Sequence, residues 1–327
     1  MSKEVGEFVA GNRREAKRIN STLIELNGNR PRNFTFSQNR FQFTLSVSFE
    51  RRFLNDTLIS GHPNPKHGAG RGRGGDRRGD WQSIPVEEVE EAFNVNGRRK
   101  VVDALSASVD TAVRVGKIGD GSTPPRPSDT GLESETATKA GWSTPGSQSN
   151  VSRFTTEFGF SDVLRPSEFG VFSGQNEMYG RLTFEPFDSG PEEELRANVD
   201  FTVTGQAPGD SVITDDGEQV VAESIRSDRT ALGLQDYTFG SGTGSVSPSD
   251  TSVDSPEFEN IAEQTVGSQQ IQLHAVVFQQ SPPSQPVDVS QIGVLTDTDV
   301  LIWLTNVDTF EKSENNSITV RATFQIR

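Results

Sequence analysis

The chain contains one segment twice, and this duplication constrains its fold more than any other feature. Two short motifs recur at a spacing of about 121 residues: 118–121 with 239–242, and 127–130 with 248–251. Further along, 167–172 and 195–203 recur about 123 residues later as 290–295 and 318–326. Solenoid repeats are roughly 20 to 50 residues long, so a unit of this size predicts two tandem globular domains of one fold. An architecture used twice also argues against a unique catalytic centre.

Composition along the chain predicts the remaining organisation. We expect an N-terminal helix over residues 1–28, then a β-element over 29–93 that contains a Gly/Arg-rich loop. A short helix is predicted at 83–93, where Val86, Val89 and Phe93 stand at helical spacing behind early acids. The first copy spans residues 94–205 and the second copy spans 212–327. The Gly-Gln-Ala-Pro-Gly-Asp run that joins them has the composition of a linker.

Alternation of apolar and polar residues predicts many short strands. Apolar residues occupy every second position over 41–49, and the closing strand of each copy alternates in the same way. Further strands are predicted at 154–160, 169–172, 179–184, 271–278, 292–295 and 300–304. Short strands separated by Gly, Pro and Ser turns are typical of antiparallel sandwiches. The predicted fold is mostly β, with tandem antiparallel, jelly-roll-like β-sandwich domains and an N-terminal helix.

The predicted N-terminal helix carries a heptad-like apolar pattern. Its candidate oligomerisation residues are Val5, Val9, Ile19, Leu23 and Leu26. They alternate at spacings near four and three, with a polar interruption at Asn12 and a glycine stop at Gly28. Two interpretations remain open, because such a helix either docks on its own domain or joins protomers in a short coiled coil.

Charge and residue usage exclude several function classes. A formal charge of −15 and a pI near 4.7 argue against nucleic acid and anionic lipid as partners. Arginine supplies most of the 31 basic residues, and with the acidic excess this favours a protein from a salt-loving archaeon over an ordinary acidic bacterial or phage protein. Cysteine is absent, so thiolate chemistry and disulfides are excluded. The sequence contains no apolar run long enough to predict a membrane span. It also lacks the charged and then apolar N-terminal pattern that predicts a secretory signal.

The Gly/Arg-rich loop is the main basic feature. It carries Arg71, Arg73, Arg77 and Arg78 between glycines. A dinucleotide-binding turn would need a preceding buried strand, and the residues before this loop are His and Pro instead. Binding of nucleic acid is an alternative that the acidic remainder disfavours. We expect these arginines to pair with acids of a neighbouring subunit, because guanidinium groups make bidentate contacts with carboxylates.

Catalytic and metal-binding patterns are missing from the sequence. The three histidines match no metal-ligand spacing, and no serine has the context of a hydrolase elbow. Two carboxylates facing one cleft would be needed for glycoside hydrolysis, and the acidic runs at 192–194 and 215–218 are interpreted as turns. We therefore predict no enzyme activity, no cofactor and no bound metal.

The repeated segment resembles a known family. Residues 112–121 and 127–135, followed by 168–172 and 181–186, resemble a segment of tailed-phage virion proteins, in which a strand and a Gly-x-Gly turn precede a Pro-x-Asp-Thr segment. The resemblance covers about 110 residues, and the second copy departs from it at 252–256. It implies a non-catalytic structural protein of the tail or head surface. Together with the composition, it suggests a tailed virus of haloarchaea.

The resulting expectation is a homo-oligomeric virion component of the tail baseplate or fibre that contacts neighbouring virion proteins. The alternatives are a capsid turret or decoration protein and a module that binds a host glycan or S-layer. A glycan depolymerase is disfavoured. For glycan contact the candidate residues are the aromatic side chains Trp142 and Tyr179, with Trp81 as a further aromatic.

Overall fold

The computed structural model describes residues 31–54, 80–106 except 88, 112–226 except 144–146 and 149, 233–278, and 283–327 except 284. The predicted N-terminal helix with Val5, Val9, Ile19, Leu23 and Leu26 lies outside the described residues. The Gly/Arg-rich loop with Arg71, Arg73, Arg77 and Arg78 also lies outside them. The roles proposed for this helix and for this loop therefore stay predictions.

The described part contains eighteen strands and two helices, which fall into two similar series. Before and within the first copy these are β1 (Arg32–Phe53), β2 (Gln82–Ile84), β3 (Glu90–Phe93), α1 (Val95–Leu105), β4 (Val113–Gly119), β5 (Glu135–Ala140), β6 (Ser147–Gln148), β7 (Val151–Gly159), β8 (Glu168–Ser173), β9 (Met178–Thr183) and β10 (Glu193–Gln206). The second series is β11 (Ser211–Ile213), α2 (Asp215–Glu223), β12 (Leu234–Gly240), β13 (Pro256–Ile261), β14 (Glu263–Val266), β15 (Gln270–Val277), β16 (Val287–Thr296), β17 (Leu301–Lys312) and β18 (Ile318–Ile326).

Each copy contributes one five-stranded sheet, and the two sheets have the same strand order. The first has the order β3-β9-β8-β4-β5, and the second has the order β11-β17-β16-β12-β13. Every strand of one sheet has its counterpart at the same place in the other. The structural repeat therefore begins with β3 and β11, slightly before the starts predicted at residues 94 and 212.

The third sheet has eight strands and joins the copies. Its order is β14-β15-β18-β1-β10-β7-β6, with β2 paired to β1. The long strand β1 lies between the closing strands of the copies, antiparallel to β10 and parallel to β18. Arg40 and Phe41 pair with both neighbours, and the ladder to β18 is interrupted at Gln38, which has a φ of 83°. The sequence predicted two sandwiches in series, whereas here β1 makes one continuous sheet from both copies.

The two helices connect the copies a second time. Helix α1 contacts β9 of its own copy and both β15 and β18 of the other. Helix α2 contacts β17 of its own copy and both β7 and β10 of the other. The hydroxyl of Ser152 donates to the carbonyl of Ala222, and the amide of Val113 donates to the carbonyl of Ile225 at 2.9 Å. Each copy therefore completes part of the other.

One hydrophobic core runs through both copies. The alternating residues of β10 and β18 that the sequence assigned to one face are all buried, for example Phe201 and Phe324 at 0 % exposure. Phe43 of β1 stacks on Phe93 of the first copy, while Phe41 packs against Phe324 of the second. Strands cover 56 % of the described residues and helices 8 %, which confirms a mostly β, antiparallel, sandwich-type fold.

Two local predictions were wrong. The described residues of 83–93 contain the end of β2 and the whole of β3 instead of a short helix, because pairing of β3 with β9 buries Ala92 and Phe93. The acidic run at 215–218 begins α2 instead of forming a turn. Thr214 is its N-cap and accepts a hydrogen bond from the amide of Gly217 at 2.9 Å. Acids in the first turn then favour the helix through its dipole.

Candidate functional site

The repeated motif of the first copy is a long turn that closes around a buried carboxylate. Glu168 at the start of β8 is 0 % exposed. Its Oε1 accepts hydrogen bonds from the amides of Gly121 and Ser134 at 3.2 and 2.7 Å, and its Oε2 accepts one from the amide of Glu133 at 3.1 Å. One side chain therefore holds both ends of the turn between β4 and β5.

The charge of this carboxylate is balanced by Arg181 of β9, which is 4 % exposed. Its Nε donates to Glu168 Oε2 at 2.8 Å, and its Nη1 donates to Asp129 Oδ2 at 3.0 Å. Glu133 lies 3.6 Å away from Nη2. A buried ion pair is tolerated only when its remaining donors and acceptors are satisfied, and the turn supplies most of them.

Glycine is required in this turn for close approach. A Cβ atom at Gly119 or Gly121 would overlap Glu168, and Cβ atoms at the counterparts Gly240 and Gly242 would overlap Asp254. A Gly-x-Gly pattern in a sequence is compatible with close approach of the backbone and with positive φ. Among the described glycines, positive φ occurs at Gly141 and Gly209 instead.

A second anchor holds the Pro-Ser-Asp-Thr segment. The side-chain nitrogen of Asn94, Nδ2, donates to the carbonyls of Arg126 and Asp129 at 3.1 and 2.7 Å. It lies 3.4 Å from the carbonyl of Pro127. Asp129 also accepts from the amide of Arg126 at 2.9 Å, a hydrogen bond typical of Asp in a turn. Asn94 is fully buried, so these carbonyls would lose their donor if it were removed.

The second copy builds the same turn without charge in its interior. Gln291 replaces Glu168, and Leu304 replaces Arg181. The Gln291 carbonyl accepts from the amide of Asp254 at 2.7 Å, and its amide donates to Asn306 at 3.1 Å. Asp250 accepts from the amide of Ser247 at 2.7 Å, just as Asp129 accepts from Arg126. The turn is thus preserved while the ion pair is replaced at both positions.

Two exposed acids at the end of the repeated turn in the first copy, Glu133 and Glu135, have lowered pKa values. Hydrogen bonds from Thr123, then from the amide of Ser122, and the nearby Arg181 lower the pKa of Glu133. Hydrogen bonds from Lys117 and Thr138 lower the pKa of Glu135. These acids are therefore stabilised in their ionised form, which favours the turn at neutral pH.

The two residues predicted for glycan contact belong to the interior of the first copy. Tyr179 is 0 % exposed, which excludes contact with a glycan in this fold. Trp142 is half-buried and packs edge-on against Phe154 and Phe169, above the space left by Gly116. The sequence pattern alone does not distinguish core aromatic residues from surface ones near the ends of strands, which is where Trp142 and Tyr179 lie.

Trp81 lies on the polar face of the eight-stranded sheet. The centroid of its half-buried ring lies 3.8 Å from the guanidinium carbon of Arg196 and 4.4 Å from that of Arg52. Both arginines also pair with acids of neighbouring strands, namely Glu50, Glu157 and Glu194. Opposite charges thus alternate across this face, with one aromatic ring stacked on them.

A cleft of about 440 Å³ lies where the copies meet. Its basic residues are Arg40 of β1, Arg98 of α1 and Arg327 after β18. Its remaining walls include Phe43, Phe93, Pro125, Pro127 and Glu91. Burial and the nearby charge of Arg327 lower the pKa of Arg98. Of the predicted site residues that the structure describes, Trp81, Trp142 and Tyr179 do not line this cleft.

A second cavity of about 460 Å³ lies beside the repeated turn and contains Ser167, Glu90, Asp120 and Glu185. The hydroxyl of Ser167 donates to the carbonyl of Gly121 at 2.9 Å, so it has a backbone acceptor and not a general base. Within the described ranges, no group of three His, Asp or Glu side chains has the geometry of a metal site. No helix in that part of the chain is long and apolar enough to cross a bilayer.

Comparison of the chain with models of protein families, with curated proteins and with solved structures gave no match.

Proposed function

We propose that the chain is a non-enzymatic structural subunit of a tailed-virus particle, placed in the tail baseplate or fibre. The observation that carries the proposal is the repeated turn. The segment that resembles virion proteins is held by Glu168, Arg181 and Asn94 in the first copy, and the same turn is rebuilt with different residues in the second. When the conformation of a turn is retained while the side chains that hold it differ, a structural role for that turn is expected.

The way in which the copies are joined also supports this function. A shared sheet and reciprocal helix contacts make a broad unit from two copies of one fold. In a symmetric particle, many weak contacts between such subunits add up, and rigid subunits lose little entropy on assembly. We therefore expect self-association and contacts with neighbouring virion proteins.

The test is to find the chain in virus particles. Particles released from cultures of the source organism are purified on a density gradient, and an antibody against the chain is applied before electron microscopy. The proposal predicts that the chain sediments with the particles and that the label marks the tail. Label on the head would favour the alternative, a turret or decoration protein. A chain found only in the particle-free fractions would contradict both.

A second candidate function, recognition of a host surface glycan, is favoured by Trp81. Trp81 is half-buried but lies on the polar face beside hydrogen-bonding side chains, and aromatic rings in such surroundings are suited to stack on a sugar ring. If this function operates, Trp81→Ala reduces adsorption of particles or protein to host cells. The control is Phe278→Ala, which removes an aromatic ring that is 65 % exposed elsewhere in the molecule. Equal adsorption by both variants would leave the structural role as the function.

A further inference from the structure

The cleft between the copies, defined by Arg40, Arg98 and Arg327, gathers positive charge in a strongly acidic protein. Its three arginines come from β1, from the first turn of α1 and from the end of β18. None of them forms an ion pair with another residue in the described part of the chain. Glu91 in the cleft wall lies 3.4 Å from the amide of Leu45. Positive charge is therefore in excess in the cleft.

Two donors in this cleft lack acceptors. The Nε atoms of Arg40 and Arg98 are buried and have no hydrogen-bond partner among the described residues. Two other guanidinium nitrogens have neutral partners: Arg98 Nη1 donates to Gln269 at 3.1 Å, and Arg327 Nη2 donates to Gln325 at 2.9 Å. Arginine does not lose its proton near neutral pH, and buried donors in folded proteins almost always have an acceptor. An acceptor from outside the described part of the chain is therefore expected.

The equivalent junction at α2 of the second copy does not have an arginine at the position of Arg98. Gly97 and Gly217 occupy the same place in α1 and α2, each against a backbone carbonyl of its sheet. The next residue is Arg98 in α1 and Glu218 in α2. Glu218 accepts a hydrogen bond from the amide of Gly205 at 2.7 Å, so its charge is satisfied by the chain itself. The excess of donors is thus specific to one of the two junctions.

We propose that the cleft at Arg40, Arg98 and Arg327 binds a compact oxyanion, with a carboxylate or phosphate head held by the guanidinium groups. The planar fork of arginine matches both heads, and its hydrogen bonds to them are charge-assisted. The apolar wall of Phe43, Pro125 and Pro127 limits water and strengthens these bonds. This inference does not depend on the particle function, because it concerns the chain in solution.

The test is isothermal titration of the full chain with inorganic phosphate and, separately, with succinate, against sodium chloride of equal ionic strength. We expect saturable binding of at least one of the two anions. Arg98→Gln and Arg40→Gln are each expected to weaken it about tenfold or more, the loss of one charge-assisted contact. The matched control is Arg99→Gln, which removes the same charge from the next position of α1, where the side chain is 69 % exposed.

Comparison of the probes identifies the head group, since preference for phosphate or for succinate distinguishes the two chemistries. Arg98→Lys keeps the charge without the fork, and we expect it to bind more weakly than the unchanged chain even if Arg98→Gln does not fold. Absence of saturable binding would overturn the proposal. Equal affinity in the unchanged chain and in all four variants would also overturn it, because the anion would then bind without these arginines and outside this cleft.

Discussion

The two copies share a fold and differ in how they stabilise the same turn. The first copy buries an ion pair, Glu168 with Arg181, whereas the second buries the neutral side chains Gln291 and Leu304. Both positions differ together, as expected if a lone buried charge is more costly than either complete arrangement. The feature retained in both copies is a side-chain acceptor for the turn amides, so the turn depends on that acceptor rather than on the charge.

The largest expected effect comes from breaking this pair in one copy. Arg181→Leu leaves Glu168 buried without its counter-ion, and the free energy of unfolding should fall by about 3–5 kcal/mol. Urea denaturation of the full chain measures this change. A loss well under about 1 kcal/mol would show that the pair contributes little and that the comparison of the copies is misleading.

Rescue provides the control for that experiment. Adding Glu168→Gln and Thr183→Asn to Arg181→Leu recreates the set Gln291, Asn306 and Leu304 found in the second copy. We expect most of the lost stability to return, because no buried charge remains and the new amide has an acceptor. A triple variant that is no more stable than Arg181→Leu would contradict the proposed equivalence of the turns.

A smaller effect is expected from the residues that precede the two helices. Asn94→Ala removes a donor from carbonyls of the repeated turn, so a loss of about 1–3 kcal/mol is expected. Its counterpart Thr214 caps α2 instead, so Thr214→Ala should cost about 1 kcal/mol. Denaturation midpoints of both variants test this order, and the reverse order would show that the cap matters more than the turn.

The smallest expected effect concerns the stability of the protein at acidic pH. A lowered pKa means that Glu133 binds its proton less tightly in the folded chain than in the unfolded chain. Its contribution is therefore present above the unfolded pKa, about 4.3, and is lost as the pH falls through the folded pKa. Glu133→Gln should slightly lower the midpoint of urea unfolding at pH 7 and should lower it less at an acidic pH below the unfolded pKa. An equal change at both pH values would exclude ionisation of Glu133 as the cause.

The sequence predicted strands well because their signal is local. Alternation at 195–203 and 318–326 marked β10 and β18, and both lie in the core as expected. The helices were missed, although Thr214 followed by acids was a readable start signal for α2. For α1 the signal is weaker: Asn94 is of a type that favours helix starts, but no acids follow it, and its side chain contacts the repeated turn and not the helix.

Contacts between distant segments could not be predicted from the sequence. The pattern of β1 shows one apolar face and gives no information about the strands on its two sides. The partners of Arg181 and the convergence of Arg40, Arg98 and Arg327 depend on elements far apart in the chain. Such contacts arise from sheet order, which a single sequence does not determine.

Calorimetric unfolding of the full chain and of Arg181→Leu tests most directly whether the two copies form one cooperative unit. The shared sheet and the reciprocal helices predict a single transition with a ratio of calorimetric to van't Hoff enthalpy of about one, shifted as a whole in the variant. Two transitions, of which Arg181→Leu lowers only one, would show that the copies unfold separately and would contradict this account.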